Sequence, residues 1–291
     1  GQINPWRPSY SALLRKLGAG DYDEAVVMAF RPQPRLELRA LASGARLRLG
    51  PSHADGWPAV NFEVRREPDA GGYYGDRMAV IAPFLGFAPA ELKPRWPLPD
   101  DRVRHTAQQI HFHKPNPEQM LIGIDPGATK GGHVLAPENL HFLVRQLVGR
   151  LVCKVVPVGH PGERGRLDAF TARLSDAPVG LPRETLMDML LLVSQCDLMI
   201  AGNTDLFHFA VAMGVPTVGL FSTAEDPCYR PGERPRLRLL DVTSGERVDV
   251  ETLLAAVEAV TDGRASTAST IITDPQAHPS ARRVQPPQTH D

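Results

Sequence analysis

Residues 196–226, which read C-D-L-M-I-A-G-N-T-D-L-F-H-F-A-V-A-M-G-V-P-T-V-G-L-F-S-T-A-E-D, constrain the fold more than any other stretch of the chain. Residues 197–201 are a short apolar run between polar residues, the pattern of a buried strand. Gly202, Asn203, Thr204 and Asp205 follow with turn and helix N-cap chemistry. Residues 207–213 are small and apolar enough for a buried helix, and Gly214 is placed to end it. Residues 215–220 give a second strand, with Pro216 near its start, where a missing N–H is tolerated. Such a strand–turn–helix–strand unit points backbone N–H groups and a helix N-terminus into a crevice. Open α/β sheets bind anionic ligands there.

The same alternation extends over 120–261. Strands are expected at 120–124, 151–158, around Val179, at 197–201, 215–220 and 236–242. Helices are expected at 137–149, 164–174, 183–194, 207–213 and 250–261. Strands and helices alternating at this spacing imply a parallel sheet with helices on both faces. The N-terminal part reads as a helix at 10–17, a strand at 25–30, a helix at 36–42 and a strand at 46–49. A loop with an alternating segment at 60–64 and a helical pattern over 76–85 complete a βαβ-like arrangement that lacks an opening strand. Proline-rich stretches around 89–99 and 111–117 mark the division between the two parts, with a helical pattern at 102–111. The fold class is therefore α/β, with two Rossmann-like parts and the N-terminal one incomplete. The expected division is 1–95, a linker at 96–119, a C-terminal domain at 120–262, and a Pro-rich tail at 263–291 without apolar period.

Several function classes are disfavoured by composition. A net charge of −1 gives no basic stripe for nucleic acid and no polybasic membrane patch. Cys153, Cys196 and Cys228 have no C-x-x-C spacing, which argues against a disulfide framework or zinc site and fits a reducing compartment. The start Gly-Gln-Ile-Asn-Pro-Trp lacks the charged and apolar regions of a signal peptide. The most apolar stretch, 186–200, is broken by Asp188, Gln195 and Asp197 and is too short to span a bilayer. A cytoplasmic protein, peripheral at the inner membrane face at most, is the expectation. His105, His111 and His113 read as exposed histidines, because no carboxylate or cysteine completes a metal-ligand spacing. No metal is expected.

The motifs I-G-I-D-P-G-A at 122–128, P-E at 137–138, V-G-H-P-G-E at 158–163, N-T-D-L-F-H at 203–208, A-V-A-M-G-V-P-T at 210–217, Phe221 and D-P at 226–227 occur in this order. Together they resemble the glycosyltransferase family 9 heptosyltransferases. The resemblance is specific over 120–231 and weaker over 13–50, where D-Y-D-E-A-V-V and A-R-L-R-L-G look like the later part of that family's N-terminal domain. It implies a two-domain GT-B architecture and a nucleoside-diphosphate sugar, an ADP-sugar, as donor. The acceptor would be a glycan or a lipid-linked molecule. It also implies that the turn with Gly127, Thr129 and Lys130 and the turn with Asn203, Thr204, Asp205 and His208 face the diphosphate, with Glu163 on the ribose. Such enzymes need no metal, since helix N-termini and cationic side chains neutralise the leaving group.

Three departures bear on activity. The family opens with a strand and a G-D turn whose aspartate is the expected base, and this sequence begins after that segment. The nucleotide turn, usually D-[ST]-G, reads Asn203-Thr204-Asp205, which puts a carboxylate where the backbone should approach phosphate. Gly131-Gly132-His133-Val134 stands where a cation usually precedes the next helix, leaving Lys130 or His133 to substitute. Each site residue also has a plainer role: Thr204 as a helix cap, His208 as a buried histidine, Glu163 as an exposed helix-start carboxylate, Thr129 and Lys130 as a solvated loop. Asp125 reads as a turn residue and Asp226 as a cap for the turn at Pro227. Arg31 and Arg35 are candidates to hold an acidic acceptor. Two functions remain open: an inverting glycosyltransferase, or a catalytically inactive domain of that type that acts as a binding or scaffold subunit, with its Pro-rich tail as the contact to a protein partner.

Overall fold

The computed structural model describes residues 8–27, 33–51, 59–64, 73, 75–76, 83–88, 97–113, 116, 118–129, 136–174, 184–222, 227–232, 234–242 and 247–261. The chain divides into two compact units: residues 1–94 with 224–232, and residues 95–223 with 233–291.

The larger unit holds a parallel five-stranded sheet. Its strands are β4 (Met120–Ile124), β5 (Cys153–Pro157), β6 (Leu198–Ala201), β7 (Thr217–Phe221) and β8 (Leu237–Asp241), in the order β5-β4-β6-β7-β8. Four of the five are buried along their whole length. These are the runs that read as continuous apolar stretches, because a strand covered on both faces has no solvent side to alternate with. Successive residues point to opposite faces. Ile122 and Ile124 join the cluster beneath α4 (Pro137–Arg150) and α8 (Val250–Val260), together with Phe170 of α5 (Arg164–Thr171). Leu121, Met199 and Ala201 join the opposite cluster beneath α6 (Leu186–Ser194) and α7 (Asp205–Met213).

The helices start and stop by recognisable chemistry. Pro137 opens α4 and needs no N–H there. Thr185 and Asp188 form a reciprocal capping box on α6. Gly214 ends α7 at φ +73°, a left-handed position where a side chain would be strained. The expected and observed elements differ mostly by a residue or a turn at each end, except that α6 starts at Leu186 rather than at 183.

Residues 96–119, expected as a linker, carry the fourteen-residue helix α3 (Asp100–His113) and group with the larger unit. Ile110 is buried in the α6–α7 cluster, and Arg102 reaches Asp188 at 2.5 Å. His105 and His111 are exposed on this helix. No described helix is long and apolar enough to cross a membrane.

In the smaller unit, α1 (Pro8–Gly18) packs on α2 (Pro34–Ala42). Strands β1 (Glu24–Val26), β2 (Leu47–Pro51) and β3 (Phe62–Val64) pair in parallel in that order. The expected buried strand at 25–30 is described only to Val27, and β1 is half-exposed rather than buried. The loop expected around 60–64 contains β3. Its pairing is extended by the Asn61 side chain, which accepts the Arg48 N–H and donates to the Arg46 carbonyl, each at 2.7 Å. The strand expected at Val179, most of the helix expected at 76–85 and the tail at 263–291 lie outside the described residues.

Candidate functional site

Strand order fixes where a ligand can sit. From β4 the chain crosses by α4 to β5 on one side, whereas β6 lies on the other side of β4 and leads away through α7. The carboxyl ends of β4 and β6 therefore bound a topological switch point, the crevice that open α/β sheets use for ligands. Asp125 follows β4, and its N–H donates to the Ile200 carbonyl at 3.1 Å, which continues the strand ladder. Pro126 then starts a short 3-10 turn, Pro126–Thr129.

The Asp125 carboxylate is the centre of the site, although the sequence presented it as a turn residue. It is 1% exposed. Its Oδ1 accepts the Gly127 N–H at 2.7 Å, and its Oδ2 accepts the Thr204 hydroxyl from the end of β6. Thr204 also caps α7, accepting the Phe207 N–H at 3.5 Å. One side chain thus ties the β4 turn to the N-terminus of α7 across the switch point. Burial pushes the Asp125 carboxyl up to about 6, with the Glu163 carboxylate acting in the same direction. The Thr204 and Gly127 hydrogen bonds and the Arg166 guanidinium oppose this rise.

Glu163 comes from the turn after β5 and is held by Arg166, whose Nη1 lies 3.2 Å from Oε1. Gly127 sits between the two carboxylates. A Cβ there would lie 2.8 Å from Asp125 Oδ1 and 2.8 Å from Glu163 Oε2, so close an approach that only glycine fits without a shift.

The structure brings Gly127, Glu163 and Thr204 together around Asp125. Asn203 and His208 form a second group one turn away. The Asn203 side-chain oxygen lies 3.2 Å from His208 Nε2, which must carry the proton to donate to it. Burial holds the His208 imidazole below its usual range, with the Asp205 charge opposing, so at neutral pH it acts as a neutral donor. Asp205 itself is exposed in the first turn of α7 and is not among the groups that act on Asp125. The carboxylate that the Gly127 N–H and the Thr204 O–H donate to is that of Asp125. The backbone of Thr129 closes the 3-10 turn, while its side chain, Lys130, His133, Arg31 and Asp226 lie outside the description. Arg35 is exposed in the first turn of α2, in the smaller unit. Sequence reasoning missed Asp125 and Arg166. The signal for Arg166 was its position three residues after Glu163 at a helix start.

Residues 10–241 match the family model described as glycosyltransferase family 9 (heptosyltransferase). The chain belongs to glycosyltransferase family 9. Among solved structures it resembles a family 9 glycosyltransferase from Veillonella parvula, at 16% identity and a TM-score of 0.69 over 90% of this chain and 80% of that one. It also resembles the ADP-heptose lps heptosyltransferase II of E. coli, at 20% identity and a TM-score of 0.62 over 86% and 80%. The E. coli heptosyltransferase WaaC, solved with ADP, matches at 16% identity and a TM-score of 0.60 over 87% and 78%. A search of curated proteins finds no match. At these identities the likeness shows the fold, which is that of GT-B glycosyltransferases. In this family 9 chain the larger unit carries the Asp125–Glu163–Thr204 cluster at its switch point.

Proposed function

We propose that this crevice holds the diphosphate of a nucleoside-diphosphate sugar, an ADP-sugar, and that the sugar passes with inversion to a hydroxyl of a glycan or lipid-linked acceptor. The observation that carries the reading is the Asp125–Thr204 hydrogen bond, which joins the ends of β4 and β6 and sets the N-terminus of α7 at the switch point. A helix N-terminus favours negative charge, and it would stabilise the diphosphate as it leaves. Glu163, in the turn after β5, would accept from ribose hydroxyls while Arg166 balances its charge. The structure of E. coli WaaC with ADP supports an adenine nucleotide. In the reaction the acceptor oxygen forms a bond to the anomeric carbon as the bond to the diphosphate breaks, and the acceptor proton passes to a base. Asp125 is committed to Thr204 and Gly127, and Glu163 to Arg166, so neither is assigned as that base.

One observation favours the second reading, a binding domain without transfer activity. Asp125 already occupies the Thr204 O–H and the Gly127 N–H, two donors that a phosphate would use. Calorimetric titration of the full chain with ADP-, UDP- and GDP-sugars tests the first reading. Saturable binding of the ADP-sugar is expected, weakened at least about tenfold by Glu163→Ala, the loss of one charged hydrogen bond. Binding to none of the three would rule out the enzyme. Binding without turnover in the presence of acceptor glycans would support the inactive domain.

A further inference from the structure

A cavity of about 830 Å³ runs along α4, the outer strand β5 and the end of α5. It shares no lining residue with the Asp125–Glu163–Thr204 cluster. Its wall is apolar at Val144, Val148, Val155 and Leu174. Among its charged lining residues, Arg145 and Arg173 lie beside a single lining carboxylate, Glu138. Arg173 stands 4.0 Å from Glu138, with both side chains mostly exposed, and Arg145 has no carboxylate partner among the described residues.

His141 lies where these features meet. It is 8% exposed and stacks flat on Phe170, with ring centroids 4.3 Å apart and planes 12° apart. Its Nδ1 is buried without a hydrogen-bond partner. A leucine or phenylalanine would fill this place without orphaning a nitrogen, so packing does not explain the imidazole. Burial, then Arg173 and Arg145, hold its pKa below the usual range against the pull of Glu138. A buried imidazole with two guanidiniums beside it, next to a large apolar hollow, is a place where an anion would relieve repulsion. An inorganic ion would leave the valine wall unused, and pockets of this size hold organic ligands with a few convergent polar groups.

We propose that this cavity binds an organic acid. Its apolar body lies along Val144, Val148, Val155 and Leu174, and its carboxylate lies among Arg145, Arg173 and His141. A smaller cavity of about 230 Å³ shares Glu138, His141 and Arg173 and continues to Arg166 and Pro126, so the acid site borders the switch-point site without entering it.

Fluorescence titration of the full chain with dansyl-undecanoate, and with its methyl ester, tests the proposal. The acid binds saturably, and the ester, which lacks the charge, binds roughly tenfold or more weakly. Arg145→Gln with Arg173→Gln, two exposed positions that leave the core intact, weakens the acid roughly tenfold or more and leaves the ester unchanged. His141→Phe keeps the stack on Phe170 and weakens the acid several-fold. Saturating ADP leaves the acid's affinity unchanged. The proposal is overturned if the acid does not saturate, if ester and acid bind alike, if the double arginine variant binds like the native chain, or if ADP displaces the probe.

Discussion

The two sheets of this chain are both parallel, yet their residues experience different surroundings. In the five-stranded sheet every residue of β4, β5, β6 and β7 is buried, because helices cover both faces. In the three-stranded sheet Glu24 and Phe62 are exposed, and among the described residues Val27, Ala40 and Leu49 are the buried members of its apolar clusters. Two-sided cover makes a rigid frame whose strand ends can hold an unfavourable group such as Asp125 in place. The smaller sheet has less buried apolar surface with which to offset such a cost.

That contrast predicts unequal costs for similar substitutions. Leu147→Ala, at a fully buried position on α4, is expected to lower the stability of the larger unit by roughly 4 kcal/mol, whereas Leu47→Ala on β2 costs about 1 kcal/mol. Urea unfolding measures both, and equal losses would erase the distinction between the sheets.

The second effect concerns pH. The folded-state pKa of Asp125 lies above its ordinary value, so the native chain binds the proton more tightly than the unfolded chain does. Stability is therefore highest below about pH 4 with respect to this group. About 3 kcal/mol is lost as pH rises from about 4 to about 6, and the loss persists above. Asp125→Asn should flatten that slope and leave the chain more stable than the native one at pH 7. On the proposed reading it should also tighten ADP-sugar binding at pH 7, since a carboxylate charge in the crevice is gone. An unchanged slope in the variant would remove Asp125 from its central place.

Thr204→Val removes a helix cap and a hydroxyl donor together, for an expected loss of about 2 kcal/mol. It should also raise the Asp125 carboxyl further, a direction that NMR titration of that carboxyl can follow. Glu251→Gln breaks the exposed Arg150–Glu251 pair between α8 and α4 and should cost under about 0.5 kcal/mol. A larger loss would mean that surface charge, not covered apolar area, distinguishes the larger unit.

The larger sheet was legible because its strands are short apolar runs separated by turn and cap residues, and each helix carries its own signals. Thr204 and Gly214 mark α7 from within its own sequence. The smaller sheet was read less well. Its three-residue strands β1 and β3 have partly exposed sides, and β3 depends on Asn61 reaching the main chain of β2. Within the site, Thr204 and Glu163 were found through motifs. Asp125 read as a turn residue, and it does bond its own turn; its reach to a hydroxyl 79 residues away leaves no mark in the local sequence. Its burial is a property of the assembled sheet. Arg166 carries no motif of its own, and its pairing with Glu163 shows only in the fold.

Helix α3 determines where the chain can be cut. Because Ile110 is buried in the α6–α7 cluster and Arg102 grips Asp188, a fragment beginning at Met120 would expose the part of that cluster that Ile110 covers and leave Asp188 without its cation. The smallest portable piece that keeps the larger unit whole should start near Arg95. Any exchange of the smaller unit between relatives would have to be spliced ahead of that helix rather than after it.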